Sequence, residues 1–157
     1  MEKEDRDKIG RMVGGGRWAA LATIGDGIPL ASMVAYAPEP GFAGFLMLLS
    51  TLSQHTRNVL ANPKASLVIS EPDTGAGNPQ TLARVSIQGS VEPISVEAKE
   101  YAAARALYEK RFPASGPLFG FQDFTLFRLV PSEARFVGGF ARAFTLSVAE
   151  LRESAAR

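Results

Sequence analysis

The run Leu49-Ser50-Thr51-Leu52-Ser53-Gln54-His55-Thr56-Arg57-Asn58-Val59-Leu60-Ala61-Asn62-Pro63-Lys64-Ala65-Ser66-Leu67-Val68-Ile69 changes period twice. It leaves the apolar segment Phe45 to Ser50, which has no polar face and so predicts a strand buried on both sides. Ser53 can cap a short helix, and Asn62-Pro63 must end it, because the residue before a proline avoids the helical region. Lys64 to Ser70 returns to a strand. A buried strand, one short helix and a second strand in so little sequence predict a mainly β protein decorated with a short helix.

Upstream, charged residues from Glu2 to Lys8 precede Ile9, Met12 and Val13 at helical spacing, and Gly14 to Gly16 stop the pattern. The spacing predicts an amphipathic N-terminal helix over 1–14. Trp18, Ala20, Ala22 and Ile24 then alternate with Ala19, Leu21 and Thr23, and Gly25-Asp26-Gly27 leads into Ile28 to Ala37 as a hairpin. A second turn is expected at Glu39-Pro40-Gly41. Downstream, Pro72 to Thr81 reads as an exposed loop and Leu82 to Glu92 as a strand with a bulge at Gly89. Ser95 is expected to open the longest helix, with Tyr101, Ala104, Tyr108 and Phe112 on one buried face and Pro113 at its end. Strands Phe121 to Val130 and Ala134 to Phe140, joined by Pro131-Ser132-Glu133, precede a last strand from Ala143. Ser147 with Glu150 three residues on predicts a capped C-terminal helix or tail over 147–157. Six to eight short antiparallel strands with flanking helices point to one domain over 1–157, a closed β-barrel, since closure removes exposed edges.

Composition narrows the function classes. The chain has 157 residues, 46% hydrophobic and 21% charged, as in soluble globular proteins. It has no cysteine, which excludes disulfides and thiolate zinc, and its single histidine excludes a multi-histidine metal site. Lys+Arg 17 against Asp+Glu 16 leaves a net charge of +1, without the basic footprint of a nucleic-acid binder. The apolar runs fall short of the roughly 20 residues a membrane helix requires. The charged start is unlike a secretory signal peptide and predicts a cytoplasmic location. No set of acid, base and nucleophile emerges, so no catalytic residue is assigned.

The run Leu49 to Ile69 resembles the strand, helix and strand of the pyridoxamine 5'-phosphate oxidase-like, FMN-binding split-barrel family. Arg84-Val85-Ser86-Ile87-Gln88-Gly89 is similar to that family's bulged strand. Asp123 to Pro131 and Gly138-Gly139-Phe140-Ala141-Arg142-Ala143 are similar to the branch that includes the N-terminal domain of haem oxygenases of bacterial haem utilisation. The resemblance implies a homodimeric flavoprotein, an oxidoreductase in which FMN lies at the dimer interface. The family's phosphate-binding serine, arginine and lysine correspond here to Ser53, Gln54 and His55, and its strand arginine to Ser32. Arg84 stands where glutamine is usual and restores one cation. Tyr101 and Arg105 keep the spacing of the pyridoxamine phosphate site, but Glu109 replaces its serine, so vitamin B6 oxidation is not expected. The alternative implied by the haem-oxygenase branch is a protein that holds haem or another flat anionic ligand without flavin turnover. The axial histidine of those relatives lies in an extra C-terminal region, whereas this chain stops at Arg157.

The residues themselves leave two readings of His55. It is a cap or surface histidine, or it meets an anion together with the hydroxyls of Ser50, Ser53 and Thr56 and the guanidinium of Arg57. Arg84 is either an outward strand arginine or a cation for a cofactor, and Arg142 either a turn residue or, after Gly138-Gly139, one that approaches a flat ligand. The candidate cofactor set is therefore Ser32, Ser50, Ser53, Gln54, His55, Thr56, Arg57, Arg84 and Arg142, for FMN or alternatively haem. Trp18 is expected in packing, and Asp123 lacks the second carboxylate of an acid/base pair. Ten phenylalanines suit a barrel core and a dimer interface.

Overall fold

The computed structural model describes residues 1–139 and 141–155. Helix α1 (Lys3–Gly15) leads into the hairpin β1 (Trp18–Gly25) and β2 (Ile28–Ala35). Its two-residue turn has φ of 51° at Asp26 and 76° at Gly27, the left-handed pair that matches strand twist. The two-residue β3 (Ala37–Pro38), β4 (Phe45–Ser50), α2 (Gln54–Ala61), β5 (Lys64–Ser70) and β6 (Arg84–Pro93) follow. Then come α3 (Tyr101–Arg111), β7 (Phe124–Val137), β8 (Ala143–Leu146) and α4 (Val148–Ser154).

The strands form one antiparallel sheet in the order β2-β1-β5-β6-β7-β4-β3, with β8 also on β7. Its two ends, β2 and β3, are separated in the chain by Tyr36 alone, so the sheet has to roll until its edges approach. The barrel is thus closed by chain continuity and not by a hydrogen-bonded ladder. β3 is too short to pair with β2, and Pro38 has no N–H to offer.

Inside the roll, Leu21, Tyr36, Phe45, Met47, Leu67, Ile87, Phe127 and Phe136 are fully buried or nearly so, with Ile9 and Val13 of α1 and Val59 of α2 closing the core. Strand β4 is apolar on both faces for a reason: Phe45, Met47 and Leu49 point into this core, while Leu46 and Leu48 meet Ala104 and Tyr108 of α3 in a second one. Tyr101 and Phe112 pack at its edge, in line with the expected apolar face.

Several boundaries differ from the sequence expectation. Ser95 does not open α3; its Oγ accepts from Glu97 N in a separate turn that delivers Ile94 to the second core, and the helix starts at Tyr101. With 11 residues α3 is shorter than α1 with 13. Phe121 precedes the first residue of β7. Pro131-Ser132-Glu133 does not separate two strands: β7 continues through it, pairing Gly89 with Pro131 and Gln88 with Glu133, so Ser132 is the extra residue of the bulge. A proline is tolerated there because the ladder is already interrupted. Phe140, the expected end of that strand, and residues 156–157 lie outside the described residues. Trp18 falls on the outward phase of β1 and is 60% exposed, so it does not pack. Ser147 and Glu150 form the expected capping box.

Candidate functional site

The turn from β4 into α2 brings most of the candidate residues together. Ser53 occupies the N-cap position of α2, yet its side chain makes no capping bond. Asn58 Nδ2 donates to Thr23 Oγ1 at 3.0 Å, which lays α2 across the end of β1. Gly25 leaves the room for this, since a Cβ there would collide with the Asn58 amide. Gln54 Nε2 donates to Asn58 Oδ1 at 2.9 Å. Arg57 folds back on its own turn, donating to Gln54 Oε1 at 2.9 Å and to the Leu52 carbonyl at 3.1 Å. Ser50 Oγ donates to Asp123 Oδ2 at 2.7 Å and accepts from Leu52 N at 3.2 Å.

His55 reaches the edge strand. Its Nδ1 lies 3.0 Å from Ser32 Oγ, midway along β2, and burial lowers its pKa from the ordinary 6.5. The ring is therefore neutral at neutral pH, opposite to the cationic lysine whose place it takes in the split-barrel resemblance. Next to it, Thr56 Oγ1 is buried and has no hydrogen-bond partner.

Arg84 and Arg142 are placed elsewhere. Ser32 pairs with Leu21, Leu21 with Leu67 and Leu67 with Ile87. Arg84 is thus three strands and three residues from Ser32, roughly 14 Å across the sheet and 10 Å along it. Its guanidinium donates to the carbonyls of Gln80 and Leu82 and holds the turn before β6. Arg142 donates to Asp5 at 2.6 Å and Glu2 at 2.7 Å, tying the β7–β8 connection to the start of α1. Arg105 is paired with Glu109 at 3.0 Å and stacked on Phe119, so it offers no free cation for a phosphate.

The residues present fit an FMN phosphate poorly within one chain: the only guanidinium at the α2 start is engaged and its imidazole is neutral. Thr23, Asn58 and Asp123 are the polar residues at this site that the sequence reading did not select. The spacing of four between Gln54 and Asn58 was the available sign.

A family model described as CREG, beta-barrel, matches residues 3–151. The chain belongs to the CREG beta-barrel family. It is 34% identical over 120 residues to the chloroplastic non-canonical haem oxygenase HOZ of Arabidopsis thaliana, covering 76% of this chain and 35% of that protein. It is 30% identical over 116 residues to the haem oxygenase HutZ of Vibrio cholerae, covering 73% of this chain and 66% of that one. The solved structure of a haem-binding protein from Mycobacterium smegmatis superposes with a TM-score of 0.85 at 27% identity, over 97% of this chain and 61% of that chain. The chain thus spans about a third of the length of one curated relative and about two thirds of the other. The same rolled sheet recurs in the pyridoxine phosphate oxidase family, so this CREG-type chain is a split barrel.

Proposed function

We propose that this chain is a haem-binding split barrel, acting on haem as a substrate or carrying it, and that it works as a pair of identical copies. The observation that carries the reading is the neutral imidazole of His55 pinned by Ser32 where a phosphate-binding cation would otherwise stand. The haem-oxygenase names of HOZ and HutZ and the haem-binding name of the mycobacterial structure support it. When bound, haem supplies the iron and the conjugated ring on which such chemistry takes place. The protein's part is to hold that ring and to aim side chains at it. Ser32 orients the imidazole, and the bond from Asn58 to Thr23 fixes the helix that carries it.

Pairing is supported by the apolar side chains left in solvent on the outward face of the β1–β2 hairpin: Trp18 and Ile24 of β1 and Met33 of β2 are 39–60% exposed. A patch of this kind marks an interaction surface. The chain has no helix long and apolar enough to cross a membrane among the described residues.

A flavoprotein oxidoreductase reading keeps one support. Ser53 caps nothing, which leaves first-turn N–H groups of α2 open to a phosphate. The test is the visible spectrum of the chain purified without added cofactor, followed by titration with ferric haem and with FMN. A haem Soret band and saturable haem binding are expected. Twin flavin bands, with haem binding no more than weakly, would overturn the haem reading.

A further inference from the structure

We propose that the cleft between α3 and the start of β7 is a second binding site, for an uncharged planar aromatic molecule of one or two rings that carries a hydroxyl or carbonyl oxygen. It is independent of the haem reading above. The cleft measures about 500 Å³ and is walled by the exit of β6, by Tyr101 at the first turn of α3 and by residues 119–126. Its origin is the late start of α3. Ile94 N donates to the Leu126 carbonyl at 2.8 Å, and the chain then makes the turn in which Ser95 Oγ accepts from Glu97 N before the helix begins at Tyr101. The facing wall is fixed separately: Ser50 Oγ donates to Asp123 Oδ2 and Thr51 N to the Asp123 carbonyl, each at 2.7 Å. A cleft preformed in this way loses little affinity to reorganisation.

The lining selects the ligand. Four rings border the cleft: Tyr101, Phe119, Phe121 and Phe124. Phe121 leans on Phe124 with centroids 6.3 Å apart and is nevertheless 55% exposed, so it offers an apolar face on which a planar ligand can stack. The Tyr101 hydroxyl and the Gln122 amide line the same cleft and make no hydrogen bond among the described residues. Both groups can donate and accept, which matches an oxygen on the ring. Among the described residues no charged side chain lines the cleft. Arg105, one turn along α3 from Tyr101, is held by Glu109 at 3.0 Å and stacked 4.6 Å over Phe119. Charge complementarity therefore favours a neutral ligand, since an anion would give up its water without gaining a cation. The same argument sets the cleft apart from a haem site, because the carboxylates of haem would find no partner in this lining. The volume lies within the range of small-molecule sites.

The experiment titrates the full chain with 2-naphthol and, as its charged counterpart, 2-naphthyl phosphate, for wild type, Phe121→Ala, Tyr101→Phe and Ile28→Ala. Thermal unfolding and sedimentation of each protein accompany the titrations. Wild type should bind 2-naphthol saturably and the phosphate ester about tenfold or more weakly. Phe121→Ala should lose about tenfold in 2-naphthol affinity, and Tyr101→Phe, which keeps the ring, roughly two- to tenfold. Ile28→Ala, which removes an exposed apolar side chain at the tip of the β1–β2 hairpin, should bind as wild type does. Nuclear Overhauser effects should run from the naphthol protons to the rings of Phe121 and Phe124. The proposal is overturned by a wild type without saturable 2-naphthol binding, by equal binding of the two probes, or by Overhauser effects to Trp18 instead. Wild-type affinity in both Phe121→Ala and Tyr101→Phe overturns it as well. If Phe121→Ala changes the association state and not the probe affinity, the face is an interface between copies and the ligand assignment falls. Displacement of 2-naphthol by ferric haem would merge the cleft with the haem site, overturning a separate site while the haem reading stands. A wild type that binds 2-naphthol but not haem upholds the cleft and overturns the haem reading alone.

Discussion

Ser32 Oγ and His55 Nδ1, 3.0 Å apart, join the edge strand β2 to the first turn of α2. The partner is a hydroxyl, which carries no negative charge to hold a second proton on the ring. Burial of the ring, which lowers its pKa, favours neutral imidazole.

That direction fixes a pH dependence of stability. The folded pKa lies below the unfolded value of about 6.5, so the unfolded chain takes up the proton first as pH falls. The contribution of His55 is complete above pH 6.5 and declines as pH drops from there toward the folded pKa. Urea midpoints measured between about pH 7.5 and 5.5 should fall more steeply in wild type than in His55→Gln. Parallel curves would show that the ring is as solvated as in the unfolded chain.

The polar clasp of α2 can be measured directly. Thr23 is 1% and Asn58 4% exposed, and their 3.0 Å bond is the hinge between β1 and the site. Asn58→Ala strands the Thr23 hydroxyl and should cost about 1–3 kcal/mol, whereas the double variant with Thr23→Val should cost less than the two single losses combined. Additive losses in a denaturation cycle would mean that the two side chains act independently. His55 is on the same short helix, so Asn58→Ala should also weaken haem binding.

Much of this arrangement was legible in the chain. Strand β5 matches the run Lys64 to Ser70, because Asn62-Pro63 leaves no helical alternative before it. The Asp26-Gly27 turn and the Ser147 capping box were legible for the same reason, since local steric rules decide them. The site residues from Ser50 to Arg57 cluster because they are contiguous, but their engagement was not readable. That Arg57 turns back on Gln54, and that Arg142 is taken by Asp5 far away in sequence, depends on tertiary contacts without a periodic trace. The continuity of β7 across Pro131 was likewise hidden, because a proline read alone signals a break and only its pairing with Gly89 shows a bulge.

Gly89 yields the sharpest test of that bulge. A Cβ at this position would run into the Val130 carbonyl, which is backbone and cannot swing away. Gly89→Ala should therefore destabilise the fold by about 1–3 kcal/mol, as overpacking does. Gly75→Ala in the exposed loop, where nothing stands within 4 Å, should cost only what its left-handed φ of 78° demands, about 1 kcal/mol. Equal losses would place the effect in backbone conformation and not in the close strand approach.

A last prediction concerns the corner between β3 and β7. Arg128 donates from Nε and Nη2 to the two Glu39 oxygens, each at 2.7 Å, and the two side chains are 18% and 15% exposed. Gly44 makes space for the pair, since a Cβ would meet the Glu39 carboxylate and the Arg128 stem. Such a two-point pair fixes geometry well, but removing water from both ions offsets most of their attraction. Glu39→Ala leaves a half-buried guanidinium without its partner and should cost roughly 2–4 kcal/mol, near the range for breaking buried pairs. Replacing both, as Glu39→Leu with Arg128→Met, removes the stranded charge along with the bond and should recover most of that loss. Thermal unfolding of the three proteins decides the point. A double variant no more stable than Glu39→Ala would show that the ion pair contributes net stability at this corner beyond setting its geometry.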